Sequence, residues 1–191
     1  MLPLIQVEIE GIWLDLETHP KLFSPRKPDP GTMALLSFIE FSDDDRILDL
    51  GCGYGIVGLY AAKVTTGSNV VLSDNDSLAI EYARRNAKFN DIEGLTFCVS
   101  DAFEDIDDFR FTKIVCNPDY HSDFSLPKVF IHKGFNRLIT GGTMWFVTKR
   151  EKWYRNKLRT IFGNVDVATK NGYYIFKAIK TSNSYANSVR S

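Results

Sequence analysis

Apolar and polar residues alternate along residues 4–10 and again along 12–18, with Gly11 between them. A period of two marks a half-buried strand, so the chain opens on a predicted β-hairpin. Pro20, Pro25, Pro28 and Pro30 make the next stretch a turn-rich connector. Thr32 then stands where it can cap a helix running to about Phe41, with Met33, Leu35, Leu36 and Ile39 turned inward. Three consecutive aspartates, Asp43 to Asp45, predict a turn.

Beyond that turn the pattern alternates between short apolar runs and helical spacing. Strands are predicted over 46–50, 69–73, 95–99, 111–116 and 142–148. Helices are predicted over 56–64, over 77–90 with Leu78, Ile80, Tyr82 and Ala83 toward the sheet, over 127–139, and over 149–162 with Trp153, Leu158 and Ile161. Runs at 165–169 and 173–179 flank Asn171-Gly172, a strong hairpin turn. Strands alternating with helices imply an α/β fold with a parallel sheet and right-handed crossovers. The closing hairpin makes the last strand antiparallel. Residues 1–180 read as one domain, with the N-terminal hairpin region at about 1–30. The polar, Ser- and Asn-rich residues 181–191 read as a flexible tail.

The composition, 44% hydrophobic and 25% charged over 191 residues, is that of a soluble globular protein with a sizeable core. No apolar stretch approaches the roughly 20 residues of a membrane helix. The first residues lack a basic region before an apolar block and do not read as a signal peptide. Cys52, Cys98 and Cys116 show no Cys-x-x-Cys spacing, which argues against a disulfide framework or a zinc site. Cys98 and Cys116 lie in apolar runs as small core residues, and a reducing cytoplasm is the expected compartment. His19 and His132 support no metal. Charge is unevenly spread: residues 1–127 carry 10 Lys/Arg and 22 Asp/Glu, whereas 128–191 carry 13 and 2. Either the basic part faces a nucleic acid, or the two parts interleave and neutralise each other. The run from Lys149 to Arg159 poses the same choice, between gripping phosphates and a solvated helix face.

Candidate chemistry sits where strands end. Asp49-Leu50-Gly51-Cys52-Gly53-Tyr54-Gly55 closes one strand and precedes a helix. Glycine at alternate positions lets the backbone turn tightly and a ligand approach it closely. Open α/β sheets bind ligands at this carboxyl edge. The next strand ends in Asp74-Asn75, whose carboxylate can accept hydrogen bonds from two ribose hydroxyls. The third is followed by Asp101-Ala102, placed to reach an adenine edge. These residues form the expected nucleotide-type cofactor site. Gly53-Tyr54-Gly55-Ile56-Val57-Gly58 also fits the dinucleotide fingerprint, so an NAD-dependent oxidoreductase competes. That reading accounts neither for Asp49 nor for Asn117-Pro118-Asp119-Tyr120, which ends the fourth buried strand. The latter stretch can hold a planar, nitrogen-bearing acceptor, or be simply a turn.

Asp49 to Gly55, Ser73-Asp74-Asn75-Asp76 and Asn117-Pro118-Asp119-Tyr120-His121 together resemble a class I S-adenosylmethionine-dependent methyltransferase. The group most resembled is the small methyltransferase (MTS) domain of bacterial 16S and 23S rRNA guanine-N2 methyltransferases. Lys21-Leu22-Phe23-Ser24-Pro25 with Asp29-Pro30-Gly31-Thr32, and the segment from Glu81 to Asn90, are similar to further motifs of that group. The resemblance covers about residues 11–180. It implies a Rossmann-like, seven-stranded, mostly parallel sheet with an antiparallel last strand and helices on both faces. It also implies S-adenosyl-L-methionine as cofactor and RNA, in particular rRNA or a ribosomal particle, as partner. Many members add a second, degenerate copy of the domain for RNA recognition, and this chain reads as one copy. In the family mechanism the Asn oxygen and the first proline's carbonyl accept hydrogen bonds from the target amine while the aromatic ring stacks on the base; Asn117, Pro118 and Tyr120 match those roles. Asn117, at the border with the cofactor, counts toward both subsites. Asp119 stands where the family usually has proline, and is expected to tune acceptor choice or take up the released proton. His121 and the pair Phe23 and Ser24 could contact substrate and cofactor, or be ordinary loop residues. Within the same fold the alternative is a protein glutamine N-methyltransferase; outside it, a non-catalytic cofactor- or RNA-binding module.

Overall fold

The computed structural model describes residues 4–65, 69–107, 110–118 and 123–186. The first two strands, β1 (Ile5–Ile9) and β2 (Ile12–Leu16), form the hairpin around Glu10 and Gly11. After helix α1 (Pro30–Leu36) come β3 (Ile47–Leu50), α2 (Ile56–Val64), β4 (Val70–Asp74), α3 (Ser77–Phe89), β5 (Thr96–Val99) and β6 (Phe111–Cys116). The chain continues through α4 (Ser125–Arg137), β7 (Leu138–Thr148), α5 (Glu151–Phe162), β8 (Asp166–Lys170) and β9 (Tyr173–Ile179). Strands β3 to β9 build one seven-stranded sheet in the order β5-β4-β3-β6-β7-β9-β8. Pairings from β5 to β7 are parallel, and β9 runs antiparallel to both neighbours. The carboxyl ends of β3, β4, β5 and β6 therefore lie along one edge. The expected fold class is the observed one.

The two sheet faces carry separate cores. The hairpin, α1, α2 and α3 pack on one face against Val115, Trp145, Val147 and Ile175. On the other, α4 and α5 pack with Phe103 and Ile106 against Leu48, Ile114, Phe146 and Phe176. β3 is buried at all four positions, as a central parallel strand covered on both faces must be. Among the described residues no helix is long and apolar enough to cross a membrane.

Several boundaries differ from the sequence reading. Asp29, not Thr32, caps α1: its carboxylate accepts from Thr32 N at 2.7 Å, and Pro30 takes the first helical position, where a missing N–H costs nothing. The helix ends at Leu36 rather than Phe41. α4 starts two residues early at Ser125 and ends at Arg137, because β7 already begins at Leu138 and continues through a register shift opposite Phe111 and Lys113. Of the three cysteines Cys116 is fully buried, while Cys52 and Cys98 are half-buried. In the polar tail, Tyr185 lies edge-on to Phe135 and His132 and accepts from Asn136 Nδ2; residues 187–191 lie outside the described residues.

One attachment has no counterpart in the hydrophobic pattern. Asn86 and Asn90, one turn apart on α3, offer their amides to the edge of β2. Asn90 Oδ1 accepts from Asp15 N and its Nδ2 donates to Asp15 O; Asn86 Oδ1 accepts from Glu17 N at 2.7 Å and its Nδ2 donates to Glu17 O. Two amide side chains thus complete the ladder that a third strand would otherwise supply. Asn86 Nδ2 also donates to Tyr54 O at 2.9 Å, inside the glycine turn. Asn86→Ala would strand these buried backbone groups at a cost of about 3 kcal/mol. We expect the melting temperature of the variant to fall by roughly 6–12 °C, read by circular dichroism.

Candidate functional site

Four strand ends and the connector before α1 converge on one cleft of about 330 Å³. Its walls include Asp49 within β3 and Gly51, Cys52, Gly53 and Gly55 after it, Asp74 at the end of β4 and Asn75 after it, Asp101 and Ala102 after β5, and Asn117 and Pro118 after β6. The residues named from sequence for the cofactor are therefore gathered in one place. Asp119, Tyr120 and His121 lie outside the described residues. Sequence reading did not assign site roles to Asp29, Thr32, Ser73, Ser100, Leu126 and Phe130, which also line the cleft. For Asp29 and Thr32 the similarity of Asp29-Pro30-Gly31-Thr32 to a family motif was the available signal. Phe23 reaches the cleft too and is 53% exposed, as a covering side chain would be.

The glycine turn takes its shape from left-handed backbone: φ is 75° at Gly51, 55° at Gly53 and 100° at Gly55, values that penalise any side chain. Gly51 N and Cys52 N both donate to Ser73 O, which locks the turn to the next strand. The Tyr54 hydroxyl is buried and donates to Ser24 O at 3.2 Å, tying the turn to the connector. Asp74 accepts from Gly53 N at 2.9 Å with one carboxylate oxygen and from Asp76 N at 3.0 Å with the other. Each oxygen keeps lone pairs with which it can take a ribose hydroxyl.

Asp49 lies under this turn, 4% exposed, and accepts from Gly58 N at 2.8 Å. Burial, reinforced by the charge of Asp74, pushes its carboxyl up to about 7. The consequence is selective. A helix N-terminus ordinarily offers its N–H groups to a pyrophosphate. Here Asp49 already fills that position on α2, and four aspartates with no Lys or Arg line the described walls. Such a cleft suits a cation-bearing nucleoside and repels the pyrophosphate of a dinucleotide. Ser73 Oγ, buried at the cleft wall without a partner among the described residues, leaves a hydrogen-bonding group for the ligand. S-adenosylmethionine, with its sulfonium and ammonium, fits these residues. Burial pushes the Cys52 and Cys116 thiols well up, with Asp49 adding to both, so neither is a thiolate nucleophile. Among the described residues no group of side chains could hold a metal ion.

Asn117 is held by a network joining distant segments. Its Nδ2 donates to Asp29 Oδ2 and to Thr32 Oγ1, both at 2.8 Å, and Thr32 Oγ1 donates onward to Asp29 Oδ2 at 3.1 Å. A carboxylate only accepts, which fixes which end of the amide faces it. Both amide hydrogens are spent, so Oδ1 is the polar atom left to meet a ligand, and it meets it as an acceptor. Gly31 makes the approach feasible, since a Cβ there would lie 2.8 Å from the Tyr173 ring and 3.0 Å from Asp29 Oδ2.

A family model for the methyltransferase small domain matches residues 13–177. The structure of the T. thermophilus 16S rRNA N2 G1207 methyltransferase (RsmC) in complex with AdoMet and guanosine is similar at TM-score 0.85 and 25% identity. That similarity covers 93% of this chain and 50% of that one, so the chain spans half the relative's length. A methyltransferase from Pyrococcus furiosus aligns at TM-score 0.72 and 20% identity, covering 88% of this chain and 90% of that one. TrmN from Thermus thermophilus aligns at 0.67 and 23%, covering 78% and 48%.

Asp49 makes the site pH-sensitive. Its carboxyl sits near 7 in the free protein, and a cation in the cleft favours its ionised form. Affinity for S-adenosylmethionine should therefore rise with pH through this range, by up to about tenfold per unit below 7 and little above. Titration calorimetry in buffers of differing ionisation enthalpy should detect proton release at pH 6 that fades by pH 8.5, and Asp49→Asn should abolish it. In the free protein the folded state holds a proton that the unfolded chain has lost, so Asp49 lowers stability as pH rises from about 4 to 7.

Proposed function

The chain belongs to the methyltransferase small domain family, and from that footing we propose that it is an S-adenosylmethionine-dependent N-methyltransferase acting on guanine N2 in ribosomal RNA. The observation that carries this reading is the fixed amide of Asn117, whose oxygen is committed to accepting a hydrogen bond at the mouth of an acid-lined cleft. An amide or exocyclic amine offers the matching N–H. The likeness to an enzyme solved with AdoMet and guanosine supports guanine as the acceptor base.

Bound in the cleft, S-adenosylmethionine supplies an electrophilic methyl group on a sulfonium. Asp74 and Asn75 would hold its ribose, Ser100, Asp101 and Ala102 its adenine, and the turn from Gly51 to Gly55 the remainder, beside Asp49. A guanine amine is a weak nucleophile because its lone pair is delocalised into the ring. Asn117 Oδ1 and the Pro118 carbonyl, accepting its two hydrogens, can rotate it out of conjugation and toward the methyl. As the nitrogen acquires positive charge, the same two acceptors stabilise it, and they need no reorganisation because Asp29 and Thr32 already hold Asn117. The rest of the rate comes from positioning. Tyr120 is proposed to stack on the base and Asp119 to tune acceptor choice or receive the proton. An intracellular, reducing compartment goes with this reading.

Transfer from methyl-labelled cofactor into ribosomal RNA and into protein fractions tests it. Asn117→Ala should lower kcat by about 10²–10³-fold, with S-adenosylhomocysteine affinity in calorimetry nearly unchanged. Asp29→Ala should fall in the same direction by releasing Asn117. Label entering protein alone would sink guanine as acceptor, and tight NADH binding without S-adenosylhomocysteine binding would sink the cofactor assignment.

A further inference from the structure

The charge imbalance of the sequence becomes a spatial one in the fold. The sheet order places β5, β4, β3 and β6, from the acidic part of the chain, at one end and β7, β9 and β8, from the basic part, at the other. Within the sheet the strands of the two parts do not interleave. Residues 128–162, which run through most of α4, β7 and α5, hold nine Lys/Arg against a single acid, Glu151, and that acid is bridged to Arg155. α4 and α5 pack side by side on one face of the sheet. Lys128 and Lys133 on α4 and Lys152, Arg155 and Arg159 on α5 are all exposed.

Lys152, Arg155 and Arg159 stand three and four residues apart, which aligns them along one side of a helix about 18 Å long. Lys128 on α4 lies close enough to act on Lys157 of α5. Burial and Lys128 push the Lys157 ammonium down, and burial, Lys157 and Lys128 push the His132 imidazole down. Like charges gathered in this way oppose the fold of the free protein. A polyanion laid across them removes that opposition and releases counterions.

The face also leads to the acceptor. Leu126 and Phe130 line the cleft, with Lys128 between them on the outward side of α4. At the start of α5 the Arg150 guanidinium lies 5.0 Å over the Phe124 ring, and the Lys149 ammonium 5.0 Å over the Tyr173 ring, carrying positive charge to the sheet's carboxyl edge. The cleft itself is acidic. A phosphate backbone is therefore turned away from the cofactor and drawn onto the helices beside it.

We propose that the α4–α5 face is the surface on which the RNA backbone docks, holding phosphates beside the nucleotide presented to Asn117. This rests on RNA being the acceptor. The line of cations, rather than a single pocket, fits a chain of regularly spaced phosphates better than an isolated acidic side chain.

The test pairs Lys152→Glu with Arg159→Glu and compares this double variant with Lys63→Glu/Lys88→Glu on α2 and α3. Total ribosomal RNA is the probe, with labelled-methyl transfer and filter binding as readouts over a salt series. The α5 double variant should raise KM for RNA about tenfold or more near 0.15 M salt and flatten the log–log salt dependence of binding by about two. Its kcat at saturating RNA and its S-adenosylhomocysteine affinity should match the wild type, and the control pair should change KM less than twofold. The milder Lys152→Gln/Arg159→Gln pair, with an unchanged melting curve, should move both readouts the same way by less. A wild-type KM and salt slope in the α5 variants, while the wild type methylates RNA, would overturn the docking face and leave the acceptor standing. Transfer by the wild type into protein alone would overturn the RNA reading and the docking face with it.

Discussion

A single carboxylate organises the reactive side of this molecule. Asp29 Oδ2 receives Thr32 N, Thr32 Oγ1 and Asn117 Nδ2, so the group that starts α1 also orients the residue that ends β6, 88 positions later. Three hydrogen bonds converge on that one oxygen, and the residue is 7% exposed, away from competing water. Each residue of the Asp29-Pro30-Gly31-Thr32 segment has a separate duty there. Asp29 caps and orients, Pro30 starts the helix, Gly31 leaves room beside Tyr173, and Thr32 passes a hydrogen bond between its neighbours. The connector is thus part of the site rather than a link to it.

Electrostatics divides the surface by task. The cleft gathers Asp29, Asp49, Asp74 and Asp101 without a neutralising cation among its described lining residues, an arrangement costly in the free state and favourable once a positive ligand enters. Asp49 carries most of that cost, being buried beneath the glycine turn with the N–H of Gly58 as its hydrogen-bond donor. It also blocks the helix N-terminus to phosphate, which separates this glycine-rich turn from the dinucleotide turn it resembles in spelling. Opposite charge collects on α4 and α5. Cations and anions are then attracted to different places by fields of opposite sign.

The hairpin shows how a small antiparallel unit is fixed to a parallel domain. Its apolar face, Ile5, Val7, Ile9, Leu14 and Leu16, joins the core on the α1–α2–α3 side. Its β2 edge is closed by Asn86 and Asn90 rather than by a strand. Because Asn86 also holds Tyr54 O, the same amide couples the hairpin to the glycine turn. Loosening it would disturb both.

Much of this was legible in the chain. Periodicity located the strands and helices, and Asn171-Gly172 and the final runs implied the antiparallel β9, because these signals are local: a period of two or of 3.6, or a turn residue with positive φ. The glycine turn and the aspartates at the carboxyl ends of β3, β4 and β5 were legible for the same reason, each being a short motif at a strand end. Tertiary structure decided what depends on neighbours distant in sequence. That Asp29 rather than Thr32 caps α1, and that it does so while orienting Asn117, follows from β6 ending beside α1. The burial that lifts the Asp49 carboxyl to about 7 exists only once α2 covers β3. Whether the basic and acidic parts of the chain mix or separate was undecidable from composition, since net charge is blind to strand order. The order β5-β4-β3-β6-β7-β9-β8 separates them, because each crossover after β6 builds toward the sheet end opposite β5.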